Sequence, residues 1–167
     1  EGRYLMKESG NGLIIGSFLT ALMLAVYPLP MSMAWARPEW VALVLIYWTI
    51  ALPERIGMWT ACMTGLLVDG MEGNLLGQSV LSLSVVTYAV LQSYQRLRMF
   101  AAWQQAFFVF VLIGVHQLIM HWSQSLFGVA TNNLKFLLPA LTSALIWPWL
   151  MIFLRGLRRR AGMLRTI

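Results

Sequence analysis

Charge is what this chain has least of. Asp, Glu, Lys and Arg make up 11% of its 167 residues, against roughly 25% in an average soluble domain. So few charges cannot cover the surface of a soluble globule of this size. Disorder is excluded for the opposite reason: hydrophobic residues reach 59%, far too much apolar surface to leave in water. The single cysteine, Cys62, lies inside an apolar run. It has no internal disulfide partner and reads as a small buried or lipid-facing side chain. There are two histidines, His116 and His121. Their spacing of five misses the i, i+3 and i+4 positions that share a helical face, so they are poorly phased for one metal. HExxH, G-x-S-x-G, glycine-rich phosphate loops and Cys/His clusters are all missing. Asp69-Gly70 lacks the further aspartates of a metal-dependent membrane phosphotransferase. No series of buried carboxylates suits a proton-driven pump. The chain therefore reads as a binding protein, not an enzyme, with no cofactor.

What is present is a series of apolar runs, and they read as an all-α polytopic membrane protein. The runs are about Leu13–Tyr27, Glu39–Leu52, Ile56–Val68, Leu75–Tyr94, Trp103–Trp122 and Phe136–Leu154. The first ends in Pro28-Leu29-Pro30, not in a small-x-small cleavage site, so it reads as a spanning helix. Prolines 38 and 53 bracket the second. Runs two and three are short: about 14 residues at ~1.5 Å each reach about 21 Å, below the ~30 Å of hydrocarbon. Two readings compete, a re-entrant hairpin and two short spans with Trp40, Trp48 and Trp59 at headgroup depth. The second gives about six spans and is favoured. One domain is expected, with residues 1–10 as an N-terminal segment, 11–154 as the bundle and 155–167 as a basic tail.

The net charge of +6 is confined to the segments between runs and to the tail. This is a topology signal, not a nucleic-acid surface. With six spans, Arg3, Lys7, Arg55, Arg96, Arg98, Arg155, Arg158, Arg159, Arg160 and Arg165 share one side, and Arg37 and Lys135 the other. The positive-inside rule then places both termini in the cytoplasm. Arg155, Arg158, Arg159 and Arg160 are candidates for contact with anionic lipid.

Other candidate sites are polar or small. Glu39, in Arg37-Pro38-Glu39-Trp40, stands at a helix start, where a carboxylate favours the dipole. Asp69 closes the third run, either as a partner or ligand site or as an Asx-type turn before Gly70. Asn74 reads as a cap for the fourth helix. Gly12-x-x-x-Gly16 and Gly73-x-x-x-Gly77 have the small-xxx-small form, the latter doubling as turn chemistry. Gln78, Ser82, Ser84 and Thr87 suggest tight packing of the fourth helix or a ligand pocket. Pro139 and Pro148 should kink the sixth.

Several of these residues recur in a known order: Arg37-Pro38-x-Trp40, Tyr47-Trp48, Leu52-Pro53-x-Arg55, Gly65-x-x-x-Asp69, Leu75-x-Gly77, Trp103-Gln104-Gln105 and Trp147-Pro148-Trp149. Over about residues 12–158 the chain resembles the MreD family of rod-shape membrane proteins, in its proteobacterial branch. The resemblance implies the bacterial inner membrane, and a scaffold of the elongasome that binds MreC and helps control peptidoglycan synthesis. Through MreC it implies RodA, a class B penicillin-binding transpeptidase and MreB as indirect partners. It also implies a fold similar to the S components of energy-coupling-factor transporters, and with it the rival of a small-ligand or lipid-binding subunit. The family brings no catalytic residues. Gly12, Gly16, Arg37, Glu39, Trp40, Gly65, Asp69 and Pro148 are the expected partner-binding surface.

Overall fold

In the computed structural model all regular structure among the described residues is helical. The structure describes residues 2–129 and 133–161, with residues 2–9 described by backbone course alone. Six helices follow in order: α1 (Gly2–Val26), α2 (Trp40–Ala51), α3 (Met58–Glu72), α4 (Gln78–Met99), α5 (Ala102–Leu126) and α6 (Leu138–Arg160). Each expected run lies on one helix. α1 and α6 extend beyond the expected bundle limits, so Arg155–Arg160 are the last turns of α6 and not a separate tail. Arg165 and the side chains of Arg3 and Lys7 lie outside the described residues.

Two segments, Ala102–Leu126 and Leu134–Arg160, are long and apolar enough to cross a membrane; Gly10–Val26 is apolar but shorter. α2 explains itself differently. Its residues Val41 to Thr49 are all buried, on every face. A helix apolar all round is a core helix, and one enclosed by protein need not match lipid thickness. α1, α4 and α6 pack around it. Trp48 is accordingly fully buried within the protein, and its Nε1–H donates to Ser17 Oγ at 2.8 Å. Trp59 does face outward, 87% exposed.

The other pairs pack largely as sequential neighbours, α3 on α4, α4 on α5 and α5 on α6. Alternate helix ends meet, so the bundle has two chemically distinct ends. One gathers the C-terminal ends of α2, α4 and α6, with Arg55, Arg98, Arg155 and Arg158. The other gathers the C-terminal end of α1, the start of α2 and the end of α3, with Arg37, Glu39 and Glu72.

The α3–α4 hairpin is the tightest joint. A Cβ built on Gly65 would lie 2.6 Å from Val80 Cα, so only glycine allows this approach. Gly73 (φ 68) and Gly77 (φ 96) turn the chain in the left-handed region. Asn74 does not cap α4; it donates to Glu72 Oε2 at 2.9 Å. The cap is Asp69, whose carboxylate accepts the N–H groups of Gly77 at 2.8 Å and Ser79 at 3.1 Å. Pro139 falls in the first turn of α6, where a missing N–H is harmless, so it makes no kink; Pro148 is the proline inside the helix.

Candidate functional site

Polar side chains converge at the end of the bundle where α2 begins. Pro38 ends the preceding segment in extended backbone, since Arg37 has φ −65 and ψ 121. That turn delivers Arg37 and Glu39 to the gap between α3 and α5. Gln117 Nε2 donates to Glu39 Oε1 at 2.6 Å, and His116 Nε2 stands 3.8 Å from Glu39 Oε2. The backbone N–H of Glu39 donates to Ser143 Oγ at 3.0 Å, tying α2 to α6. Arg37 Nη2 lies 3.8 Å from Glu72 Oε1. A cavity of about 420 Å³ opens between these groups, lined also by Trp40, Asn74 and Pro139.

The two carboxylates at this end are shifted in opposite directions. Burial acts to raise the Glu39 carboxyl, but His116, the Gln117 hydrogen bond and Arg37 together hold it below its ordinary value. Glu72 is held above its ordinary value by burial and by the negative charge of Glu39, which outweigh Arg37 and the Asn74 hydrogen bond. Arg37 Nη2 and His116 Nδ1 are buried without a hydrogen-bond partner among the described residues. The cluster therefore keeps an unspent Arg37 donor beside an opening, which suits a polar ligand or the polar flank of a partner.

The expected site residues divide between three places. Arg37, Glu39 and Trp40 join this cluster. Gly65 and Asp69 are spent inside the chain, on α4. Gly12 and Gly16 stand on α1 with nothing within 4 Å of a Cβ at either position, and Thr20 follows one turn later with its Oγ1 bonded back to Gly16 O at 2.8 Å. Pro148 is half-buried on α6, between buried Trp147 and exposed Trp149. The polar set of α4 is used for packing: Gln78 donates to Met120 O at 2.9 Å, Ser82 to Ser79 O at 3.2 Å, and Ser84 Oγ meets Cys62 Sγ at 3.5 Å. Thr87 is buried, its hydroxyl unpartnered among the described residues. Neither end cavity is lined by any of these four. Arg155, Arg159 and Arg160 are exposed and Arg158 is half-buried.

The family model described as rod shape-determining protein MreD matches residues 6–157. The chain belongs to the MreD family. A rod shape-determining protein MreD from Haemophilus influenzae is 29% identical over 147 residues, covering 88% of this chain and 91% of that protein. No solved structure matches, so likeness to transporter S components rests on the resemblance alone. Hydrogen bonds give roles to residues that spacing left without one. Within Trp103-Gln104-Gln105, Gln104 Oε1 accepts the Ala101 N–H at 3.1 Å and closes the start of α5. Gln105 Nε2 donates to Leu97 O at 2.6 Å, capping α4, and its Oε1 accepts from Trp147 Nε1 at 3.4 Å. Trp103-Gln104-Gln105 and Trp147-Pro148-Trp149 thus meet in space. The sequence does not single out Gln117, Ser143 or Arg98 as site residues: Gln117 follows His116 and Ser143 follows Thr142, and no spacing sets them apart.

Proposed function

We propose that this MreD-family chain is a non-enzymatic, multi-pass scaffold of the bacterial inner membrane, with both termini cytoplasmic, that holds the single transmembrane helix of an MreC-type partner. Rod-shape determination follows from the family. The partner, the control of peptidoglycan synthesis and the topology are our reading. Its main support is the open face of α1. Gly12 and Gly16, one turn apart, would meet no described residue within 4 Å of an added Cβ, and exposed Thr20 follows one turn later. In lipid no hydrophobic effect drives helices together, so such faces associate by close backbone approach and van der Waals fit. The inverted surface supports the membrane part: Met23, Phe107, Trp149 and Phe153 are exposed, while Gln78, Ser82, Gln105 and His116 are buried. The Arg37–Glu39–Glu72 cluster sits at the same end as the C-terminus of α1, so a helix lying along α1 brings its polar flank to it.

Detergent extraction and affinity purification of the tagged chain from its own membranes tests this. A single-span protein should co-purify, and Gly16→Leu should release it while the variant stays folded. If wild type retains no such protein, the scaffold reading fails. The cavity of about 420 Å³ favours a second reading, a small polar ligand held by Arg37 and Gln117. Native mass spectrometry of the purified chain would then show a retained molecule, lost in Arg37→Ala.

A further inference from the structure

The cationic end of the bundle holds a second cavity, of about 590 Å³, between the ends of α2, α4 and α6. Arg55, Arg98, Arg155 and Arg158 line it, against one acid, Glu54. Among the described residues none of these guanidinium groups pairs with a carboxylate. Some of their capacity is used internally. Arg98 donates to Ile50 O at 2.9 Å and Ala51 O at 3.0 Å, satisfying the last carbonyls of α2. Arg55 reaches Asn11 Oδ1 at 3.4 Å. Arg155 and Arg158 keep most of their donors.

The inner lining is more specific than a basic surface. Tyr47, 6% exposed, is enclosed on α2 and lines this cavity, and its buried hydroxyl has no hydrogen-bond partner among the described residues. Arg158 lines the same cavity, and its buried Nε is likewise unpartnered among the described residues. Of the other polar side chains here, Gln105 is committed to Leu97 and Trp147, and the Tyr94 hydroxyl accepts from Gln95. Two unspent donors on different helices, inside a rim of guanidinium groups, lack one thing: an anionic acceptor with several oxygens. Leaving buried donors unmet costs free energy that such an acceptor recovers. A carboxylate offers two oxygens in one plane, whereas a phosphate offers oxygens in three dimensions, matching donors that converge from α2 and α6.

We infer that this cavity is a phosphate-binding site, seating the oxyanion of a phospholipid headgroup or of a free phosphate between Tyr47, Arg155 and Arg158. This inference is independent of the partner reading, since the cavity lies at the opposite end of the bundle from the Arg37–Glu39 cluster. Loss of partner capture would leave it standing.

The test uses the full chain in neutral detergent, with the thermal midpoint read against added phosphatidylglycerol or inorganic phosphate at fixed ionic strength. Tyr47→Phe and Arg158→Gln are compared with Arg96→Gln and Arg160→Gln, which remove the same charge outside the cavity. Phosphatidylglycerol should raise the midpoint of wild type, and the apparent affinity should fall about tenfold in Tyr47→Phe and further in Arg158→Gln. It should be nearly unchanged in the two outer variants. Stabilisation by phosphatidylglycerol alone assigns the site to lipid; the same variant pattern with inorganic phosphate assigns it to the free ion. Equal losses in Arg158→Gln and Arg160→Gln, with Tyr47→Phe like wild type, would mean diffuse attraction and no site. No stabilisation of wild type by either probe would also overturn the inference. Tyr47→Phe changes no charge and little volume, so it reads the site even if Arg158→Gln fails to fold.

Discussion

Asp69 and Gly77 are joined across the α3–α4 turn by a 2.8 Å hydrogen bond from the glycine N–H to Oδ2, and Ser79 N–H reaches Oδ1 at 3.1 Å. The carboxylate meets two orphan donors at the start of α4 and stands at the positive end of its dipole. Asp69→Ala should cost about 0.5–2 kcal/mol, with Asp69→Asn losing less because one acceptor oxygen remains. Thermal unfolding in detergent checks both. If Asp69 served a partner directly, Asp69→Ala would instead leave the isolated chain as stable as wild type and lose only the complex.

Glycine substitutions separate internal from external contacts. Gly65→Ala puts a methyl 2.6 Å from the Val80 backbone, so α3 and α4 must separate. The expected loss is about 1–3 kcal/mol, as in overpacked cores. Gly12→Ala and Gly16→Ala meet nothing. As helix-interior glycines replaced by alanine they should gain about 0.5–1 kcal/mol. Unfolding of the isolated chain measures all three.

Buried Trp48 and half-buried Ser17 form a pair between α2 and α1, with Nε1–H donating at 2.8 Å. Ser17→Ala leaves the indole N–H without an acceptor and should cost about 1–3 kcal/mol. Adding Trp48→Phe to Ser17→Ala should cost less than Trp48→Phe does alone, because the stranded donor is then gone. A double-mutant cycle by thermal unfolding reads that coupling.

Acid should weaken the contribution of Glu39. Its folded-state carboxyl is held below the ordinary value, where burial is outweighed by His116, Gln117 and Arg37. That contribution is present above the ordinary carboxylate pKa and is lost as the pH falls through the depressed folded-state value. Glu72 works in the opposite sense. Its raised pKa, due to burial and Glu39, gives stability that is full below the ordinary value and is lost as pH rises through the raised one. The stability gap between wild type and Glu39→Gln should therefore close on acidification, and that for Glu72→Gln should turn towards favouring the variant as the pH rises to neutral. Unfolding midpoints across the acid-to-neutral range would show both.

The six helices were legible because apolar runs and proline brackets mark their limits without help from packing. Pro38 and Pro53 bound α2 closely. Burial was not legible. Trp48 looks like an outward-facing anchor by type, but α2 is enclosed by α1, α4 and α6, and only the packing shows it. The cap of α4 was assigned to Asn74, adjacent to the turn, whereas Asp69 reaches it from the far side of two left-handed glycines. The polar cluster was half visible. Arg37 and Glu39 stand in one motif, but Glu72, His116, Gln117 and Ser143 come from three other helices, and no spacing in the chain records that meeting. Likewise Gly12, Gly16 and Gly65 look alike in sequence; what differs is whether another helix already occupies the space beside them.

Partner capture on α1 is tested most directly by a photo-crosslinking residue at position 16, irradiated in native membranes, with position 107 on exposed α5 as the control. The expected result is a discrete adduct with a single-span MreC-type protein from position 16 and none from position 107. An adduct pattern identical at the two positions, or lipid adducts alone at position 16, would contradict a helix held on that face.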